Sequence, residues 1–216
     1  MNEILVDLAC CITNIRKFYY EVNDAWVDDN QLSFDINDSR PYERRFVAEL
    51  KSQFDQIIEE GRIMSNYDER YTDFELPKRI KTDYEILSIY NKIRGTNEHK
   101  SEIKTIPDFF IHKEQENMKT ENQLLVVEVK TALNIHRTEL FMDWFKCCVY
   151  VKFFNYQVAV SLILNNSVDE VKSKVKKYFD KINYLPEECI DKVWLFIKPG
   201  YNEGLTMIKL SDLRDN

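Results

Sequence analysis

The string LLVVEVKT (Leu124–Thr131) sets two charges inside an apolar run. Val126, Val127 and Val129 are β-branched, so the run reads as a buried strand. Glu128 and Lys130 interrupt it, and buried charge is costly unless it is paired or meets a metal. Residues two apart on a strand project to one face, so the acid and the base point together. A second string, TIPDFFIHK (Thr105–Lys113), reads as another strand and carries Asp108 twenty residues before Glu128. Joined through the polar excursion EQENMKTEN, the two strands form a hairpin that can set both carboxylates side by side. Neighbouring carboxylates repel unless a cation lies between them, and oxygen donors of this kind suit Mg²⁺, with Mn²⁺ as a substitute. An ammonium beside such an ion positions water or stabilises charge on a phosphate. On this reading Glu128 and Lys130 are half of a metal site.

The elements that must hold these residues alternate in period. Ile4, Leu8, Cys11, Ile15 and Phe18 form a helical stripe near the start, and Asp24–Asp38 reads as a polar, acidic connection. A second helix is expected to begin near Ser39–Pro41, to bury Phe46, Val47, Leu50, Phe54 and Ile57, and to end at Gly61. RYTDFELPKR (Arg70–Arg79) has the look of an edge strand stopped by Pro77. Thr82 and Glu85 make a capping box ahead of a short helix with Ile86, Ile89, Tyr90 and Ile93. Beyond the charged strand, Arg137–Phe154 is helical with Leu140, Trp144, Cys147, Cys148 and Val151 inward. QVAVSLIL follows as a buried strand. Ser167 and Glu170 then cap a helix carrying Val168, Val171, Val175, Phe179 and Ile182, and VWLFIKPG and LTMIKL close the chain as strands. The pattern predicts an α/β fold: a central mixed sheet flanked by helices on both faces, with an extra N-terminal helix.

Composition agrees. A chain of 216 residues, 44% hydrophobic, is expected to form a single domain over 1–216 with a sizeable core, and 4 Gly and 5 Pro suit long regular elements. The net charge of −7 is uneven: 17 acidic residues face 8 basic ones through Glu75, whereas 7 basic face 4 acidic between Lys78 and Lys104. Such a protein does not coat nucleic acid nonspecifically, though a local basic surface could still bind it. No basic-then-apolar leader opens the chain, and the longest apolar stretch, Val158–Leu164, is too short to span a membrane. A soluble, cytoplasmic protein with no membrane partner is expected. Cys10 and Cys11, Cys147 and Cys148, and Cys189 then read as buried reduced thiols, with no zinc spacing.

Pro107-Asp108 followed by Glu128-Val129-Lys130 resembles the PD-(D/E)XK motif of the restriction-endonuclease-like nuclease superfamily. DWFKCCVY and QVAVSLIL are similar to the helix and strand that follow that motif in many such proteins, and the resemblance covers roughly residues 39–165. It implies a nuclease-like core there, with the N-terminal helix (1–23) and a C-terminal αββ part (166–216) packed on it. Members commonly supply a further glutamate from the preceding helix, where YERRFVAEL offers Glu43 or Glu49. Glu43 shares a face with Val47, Leu50 and Phe54, so it is preferred. The resemblance implies a Mg²⁺-dependent phosphodiesterase acting on nucleic acid, DNA by analogy. Asp108, Glu128 and Glu43 would hold the metal, and Lys130 would orient or activate water. Two alternatives stand beside it: a noncatalytic interaction or assembly module of the same fold, or a nuclease subunit active only within a defence or repair complex. A homodimer or protein partner is compatible with each.

Ordinary readings exist for the same residues. Glu43 could be a first-turn acid favoured by the helix dipole, and Asp108 could simply open a strand after proline. Glu128 and Lys130 could be a salt bridge on a solvated face. Asp143 and Lys146, three apart, read as a surface helical pair. His112 reads as structural, and Lys172, Lys174, Lys176, Lys177 and Lys181 as a solvated helix face.

Overall fold

The computed structural model describes residues 2–20, 24–28, 31–35, 43–60, 70–73, 77–81, 84–113, 119–176 and 185–213. In chain order its elements are α1 (Glu3–Asn14), β1 (Asp24–Asp28), β2 (Gln31–Asp35), α2 (Glu43–Glu59), β3 (Arg70–Asp73), β4 (Lys78–Lys81), α3 (Tyr84–Arg94), β5 (Glu102–Thr105), β6 (Phe109–Lys113), β7 (Gln123–Lys130), α4 (Arg137–Phe153), β8 (Val158–Leu164), α5 (Val168–Lys176), α6 (Glu187–Ile190), β9 (Val193–Lys198) and β10 (Thr206–Lys209). The apolar, β-branched runs form the middle of a six-stranded mixed sheet in the order β10-β9-β8-β7-β6-β3. β7, β8 and β9 are parallel, and β6, β3 and β10 extend the sheet antiparallel. β1–β2 and β4–β5 are separate two-stranded ribbons.

Strand alternation sorts the core into two layers. Phe109, Ile111, Leu125, Val127, Val129, Val160 and Leu162 pack with α1 and α2, through Leu5, Leu8, Phe46, Leu50 and Phe54. Phe110, Val126, Ala159, Ile163, Leu195 and Ile197 pack with α3, α4 and α5, through Ile89, Phe141, Trp144, Tyr150 and Val171. From Val126 onward the even-numbered β7 residues therefore face α4, which sends Glu128 and Lys130 to that side. Two asparagines after β8 fix the connection between β7 and α4. Asn165, in the left-handed region at φ 59, donates to Thr131 O at 3.0 Å. Asn166 donates to Ala132 O at 2.7 Å and accepts from Ile135 N at 3.4 Å.

Several expected elements appear where the periodicity placed them. α4 buries Leu140, Trp144, Cys147, Cys148 and Val151, and the β6–β7 hairpin is antiparallel. The capping box at α5 is formed, with Ser167 N donating to Glu170 Oε2 at 2.7 Å and Glu170 N to Ser167 Oγ at 3.2 Å.

Others differ. Asp24–Asp38 contains the β1–β2 ribbon, because DAWVD and QLSFD alternate over too few positions to stand out from their acidic flanks. Phe18 leaves the N-terminal stripe: α1 stops at Asn14 and Phe18 is 57% exposed. Cys10 is exposed, while Cys11, Cys147, Cys148 and Cys189 are buried and free. Thr105–Lys113 is not one strand, since Pro107 cannot donate to a ladder; β5 ends at Thr105 and β6 begins at Phe109. In Arg70–Arg79, Arg70–Asp73 joins the sheet as its edge, and Lys78–Lys81 pairs with β5 instead. The expected helix start at Ser39–Pro41, Gly61, the Thr82 cap, Phe179 and Ile182 lie outside the described residues. Among the described residues no helix is long and apolar enough to cross a membrane.

Candidate active site

α4 is buried nearly all round, so its few polar side chains need partners inside the protein. Asp143, Lys146 and Tyr150 fall at i, i+3 and i+7, on one stripe that faces β7. Tyr150 OH donates to Glu128 Oε1 at 2.8 Å. Lys146 Nζ donates to Glu128 Oε2 and to Asp143 Oδ1, each at 2.8 Å. Lys130 Nζ lies 3.5 Å from Asp143 Oδ2 and 3.3 Å from Glu43 Oε1, and it also donates to Val129 O at 3.2 Å. One network therefore runs from α4 through β7 to the first turn of α2. Asp108 adjoins it in the bend before β6, its Oδ2 accepting from Val129 N at 2.7 Å.

The structure thus brings Glu43, Asp108, Glu128 and Lys130 to one end of β7 from three separate parts of the chain. It overturns the expectation that Asp143 and Lys146 form a surface pair. The Asp143 side chain is 3% exposed, and Lys146 is the main partner of Glu128. A Glu128–Lys130 salt bridge on a solvated face is likewise replaced, because the Glu128 side chain is 1% exposed and its two oxygens meet Lys146 and Tyr150. Glu49, half-buried, accepts instead from Gln53 Nε2 at 2.9 Å along α2. His112 is buried beside Phe110, their rings 5.3 Å apart, near the far end of β6. Lys172 is exposed on α5, and Lys174 Nζ donates to Asn134 Oδ1 at 3.1 Å. The side chains of Lys176, Lys177 and Lys181 lie outside the described residues.

Electrostatics set this cluster apart. Burial raises the Glu43 carboxyl above its ordinary range, against the opposing pull of Lys130. Burial also raises Asp108, although the Val129 N–H favours its charged form. For Glu128, burial lifts the pKa to about 8, with Lys146 opposing and the Asp108 and Asp143 charges reinforcing the rise. Burial alone would lower Lys130, but Asp143, Glu43 and Asp108 together outweigh it and hold the ammonium above the usual lysine range. Lys146 is raised in the same way, by Glu128 and Asp143.

Four carboxyl groups thus meet two ammoniums, and fully ionised they carry an uncompensated charge of two. Asp143 Oδ2 is buried without a hydrogen-bond partner among the described residues. Excess negative charge and oxygen donors, one of them an Asp143 oxygen met by a single long Lys130 contact at 3.5 Å, suit a hard divalent cation. Among the described residues, however, no three His, Cys, Asp or Glu side chains stand close enough together to form a ready ligand cluster. Donor chemistry fits a metal; the ligand cage is not preassembled, because Lys146 and Tyr150 hold Glu128.

Fold and site together define an α/β protein with a buried carboxyl–ammonium cluster at one end of β7. No protein-family model, curated protein or solved structure matches the chain.

Proposed function

We propose that the protein is a metal-dependent nuclease with a restriction-endonuclease-like core, hydrolysing phosphodiester bonds, in DNA by the motif's analogy. The observation that carries this reading is the convergence of Glu43, Asp108, Glu128 and Lys130 into one cluster whose carboxyl groups outnumber its ammoniums. Asp108 and Glu128 would hold Mg²⁺, or Mn²⁺ in its place, with Glu43 in support. When bound, such an ion supplies neutralisation of charge on the scissile phosphate. The Lys130 side chain is 18% exposed, and its ammonium would turn from Glu43 to donate a hydrogen bond to water or to a phosphate oxygen. Lys146 and Tyr150 orient Glu128 and shield it from solvent.

Titration calorimetry with Mg²⁺ on wild type and Asp108→Ala tests this reading most directly. Wild type is expected to bind and Asp108→Ala to lose most of the heat. At a hundredfold excess over Kd, binding stabilises by about 2.7 kcal/mol, which should raise the melting temperature by roughly 5–10 °C for a chain of this size. Equal titrations for the two proteins would remove the metal site. A second reading, a noncatalytic assembly module of the same fold, is favoured by one feature: both Glu128 oxygens already have partners within the protein. It predicts no Mg²⁺ heat in either protein.

The two glutamates of α2 separate a site role from a helix-surface role. Glu43→Ala is expected to lower cleavage about 10- to 100-fold, the usual effect of removing a supporting partner at a metal site. Glu49→Ala should leave it unchanged, since its partner lies on its own helix. Steady-state cleavage of the two variants decides, and the reverse ranking would place the site on another face of α2.

A further inference from the structure

The β4–β5 ribbon precedes the Asp108 bend and has two unlike faces. Ile80 and Ile103 are buried in the core layer of α3 and α4. The opposite face presents Arg79, Lys81, Glu102 and Lys104 toward solvent. In the register of the ribbon Arg79 stands directly opposite Lys104, and Lys81 opposite Glu102. Like charges opposed across an antiparallel pair are destabilising. Glu102 is ion-paired with Arg79 at 2.8 Å, its side chain 49% exposed and that of Arg79 61% exposed. Neither Lys81 nor Lys104 meets a carboxylate among the described residues. Among the described residues three cations thus share one anion on this face, in a protein whose net charge is −7. Such an arrangement costs stability in isolation and is relieved by an external polyanion.

Its place in the chain says which polyanion. Lys104 is four residues from Asp108, so their Cα atoms are at most about 14 Å apart. With a rise of about 3.4 Å per nucleotide along each strand of a duplex, that reach corresponds to about four base pairs. We propose that the outer face of the β4–β5 ribbon docks the phosphate backbone of duplex DNA beside the site, with Arg79, Lys81 and Lys104 touching it. The proposal rests on the nuclease reading and supplies what that reading lacks, a surface that grips the substrate.

The test is fluorescence anisotropy with a short labelled DNA duplex in EDTA, so that cleavage plays no part. The proteins are wild type, the double variant Lys81→Glu/Lys104→Glu, the milder Lys81→Gln/Lys104→Gln, and Lys172→Glu on the exposed face of α5. Wild type is expected to bind with an affinity that falls linearly on a log–log salt plot. The glutamate pair should weaken binding roughly tenfold or more, and either pair should lower the salt slope by about 2, one for each phosphate that the protein no longer neutralises. Lys172→Glu should bind like wild type with an unmoved melting temperature, and both lysine pairs should melt no lower than wild type, because removing Lys104 relieves its opposition to Arg79. If both lysine pairs bind DNA as wild type does with an unchanged slope, the docking face is wrong and the nuclease reading is untouched. If wild type itself binds no duplex at low salt, the docking face is again wrong, and the Mg²⁺ titration independently decides whether the site stands.

Discussion

Glu128→Gln is expected to abolish Mg²⁺-dependent cleavage, by about a hundredfold or more, while leaving the fold intact. Glutamine keeps the shape of the carboxyl group and an oxygen that Lys146 or Tyr150 can use, so the buried network is not emptied. What it removes is the negative charge that a cation requires. Burial raises the Glu128 carboxyl well above its ordinary range, so the neutral glutamine is tolerated in the same buried place. The raised value also fixes the sign of a pH effect. The folded state holds this proton more tightly than the unfolded state, so the stability from Glu128 is present in full below the ordinary value of 4.5 and is lost as pH rises to about 8. The variant does not titrate there. Its melting temperature should therefore gain on that of wild type across the same window and then level off. Parallel melting curves of the two proteins between those pH values would show that Glu128 is not buried as described. Full cleavage by a well-folded Glu128→Gln would remove it from the metal site.

Lys130→Ala is expected to lose about a hundredfold or more in cleavage rate while keeping most of its Mg²⁺ affinity. Lysine does not ligate Mg²⁺, and removing a positive charge beside the ion could tighten its binding. The structure adds a constraint. Lys130 sits between Glu43 at 3.3 Å and Asp143 at 3.5 Å, so its loss leaves two carboxyl groups without their shared cation. Without metal the variant should melt lower than wild type; with Mg²⁺ the gap should narrow, because the ion replaces part of the missing positive charge. A Lys130 that only held the fold together would behave otherwise. Its alanine variant would melt lower with and without Mg²⁺, and cleavage per folded molecule would be normal. Melting temperature in both conditions, Mg²⁺ affinity and single-turnover cleavage on this one protein separate the two roles.

Local pattern carried much of the scaffold. Alternation and β-branching marked β7 and β8, and 3.6-residue periodicity marked α2 and α3, because these signals depend only on which face of an element is apolar. The same reasoning singled out Glu128 and Lys130 as one-faced charges in a buried strand, and preferred Glu43 to Glu49 from the register of α2. Pairing within short ribbons was not legible. β4 finds β5 rather than the main sheet, and β5 stops at Thr105 because Pro107 breaks the ladder; strand partners are chosen by contacts far away in sequence.

The partners of the charges were likewise a tertiary decision. Asp143 and Lys146 have the spacing of a solvated ion pair, and nothing in their immediate neighbours forbids it. The signal that pointed elsewhere was α4 itself, with Leu140, Phe141, Trp144, Phe145, Cys147, Cys148, Val149 and Val151 all buried. A helix apolar on every side has no solvated face, so its polar stripe must meet a partner in the core. Which partner depends on how α4 docks across β7, and that is set by the Asn165 and Asn166 bonds to the connecting loop together with the packing of Val126, Ala159 and Ile163. The sequence by itself determined which residues are acidic, basic and one-faced. Only packing decided that Glu128 would answer to Lys146 and Tyr150, and Lys130 to Glu43 and Asp143, because side-chain charges act through space over a few ångströms and the chain brings those ångströms together only when the layers close.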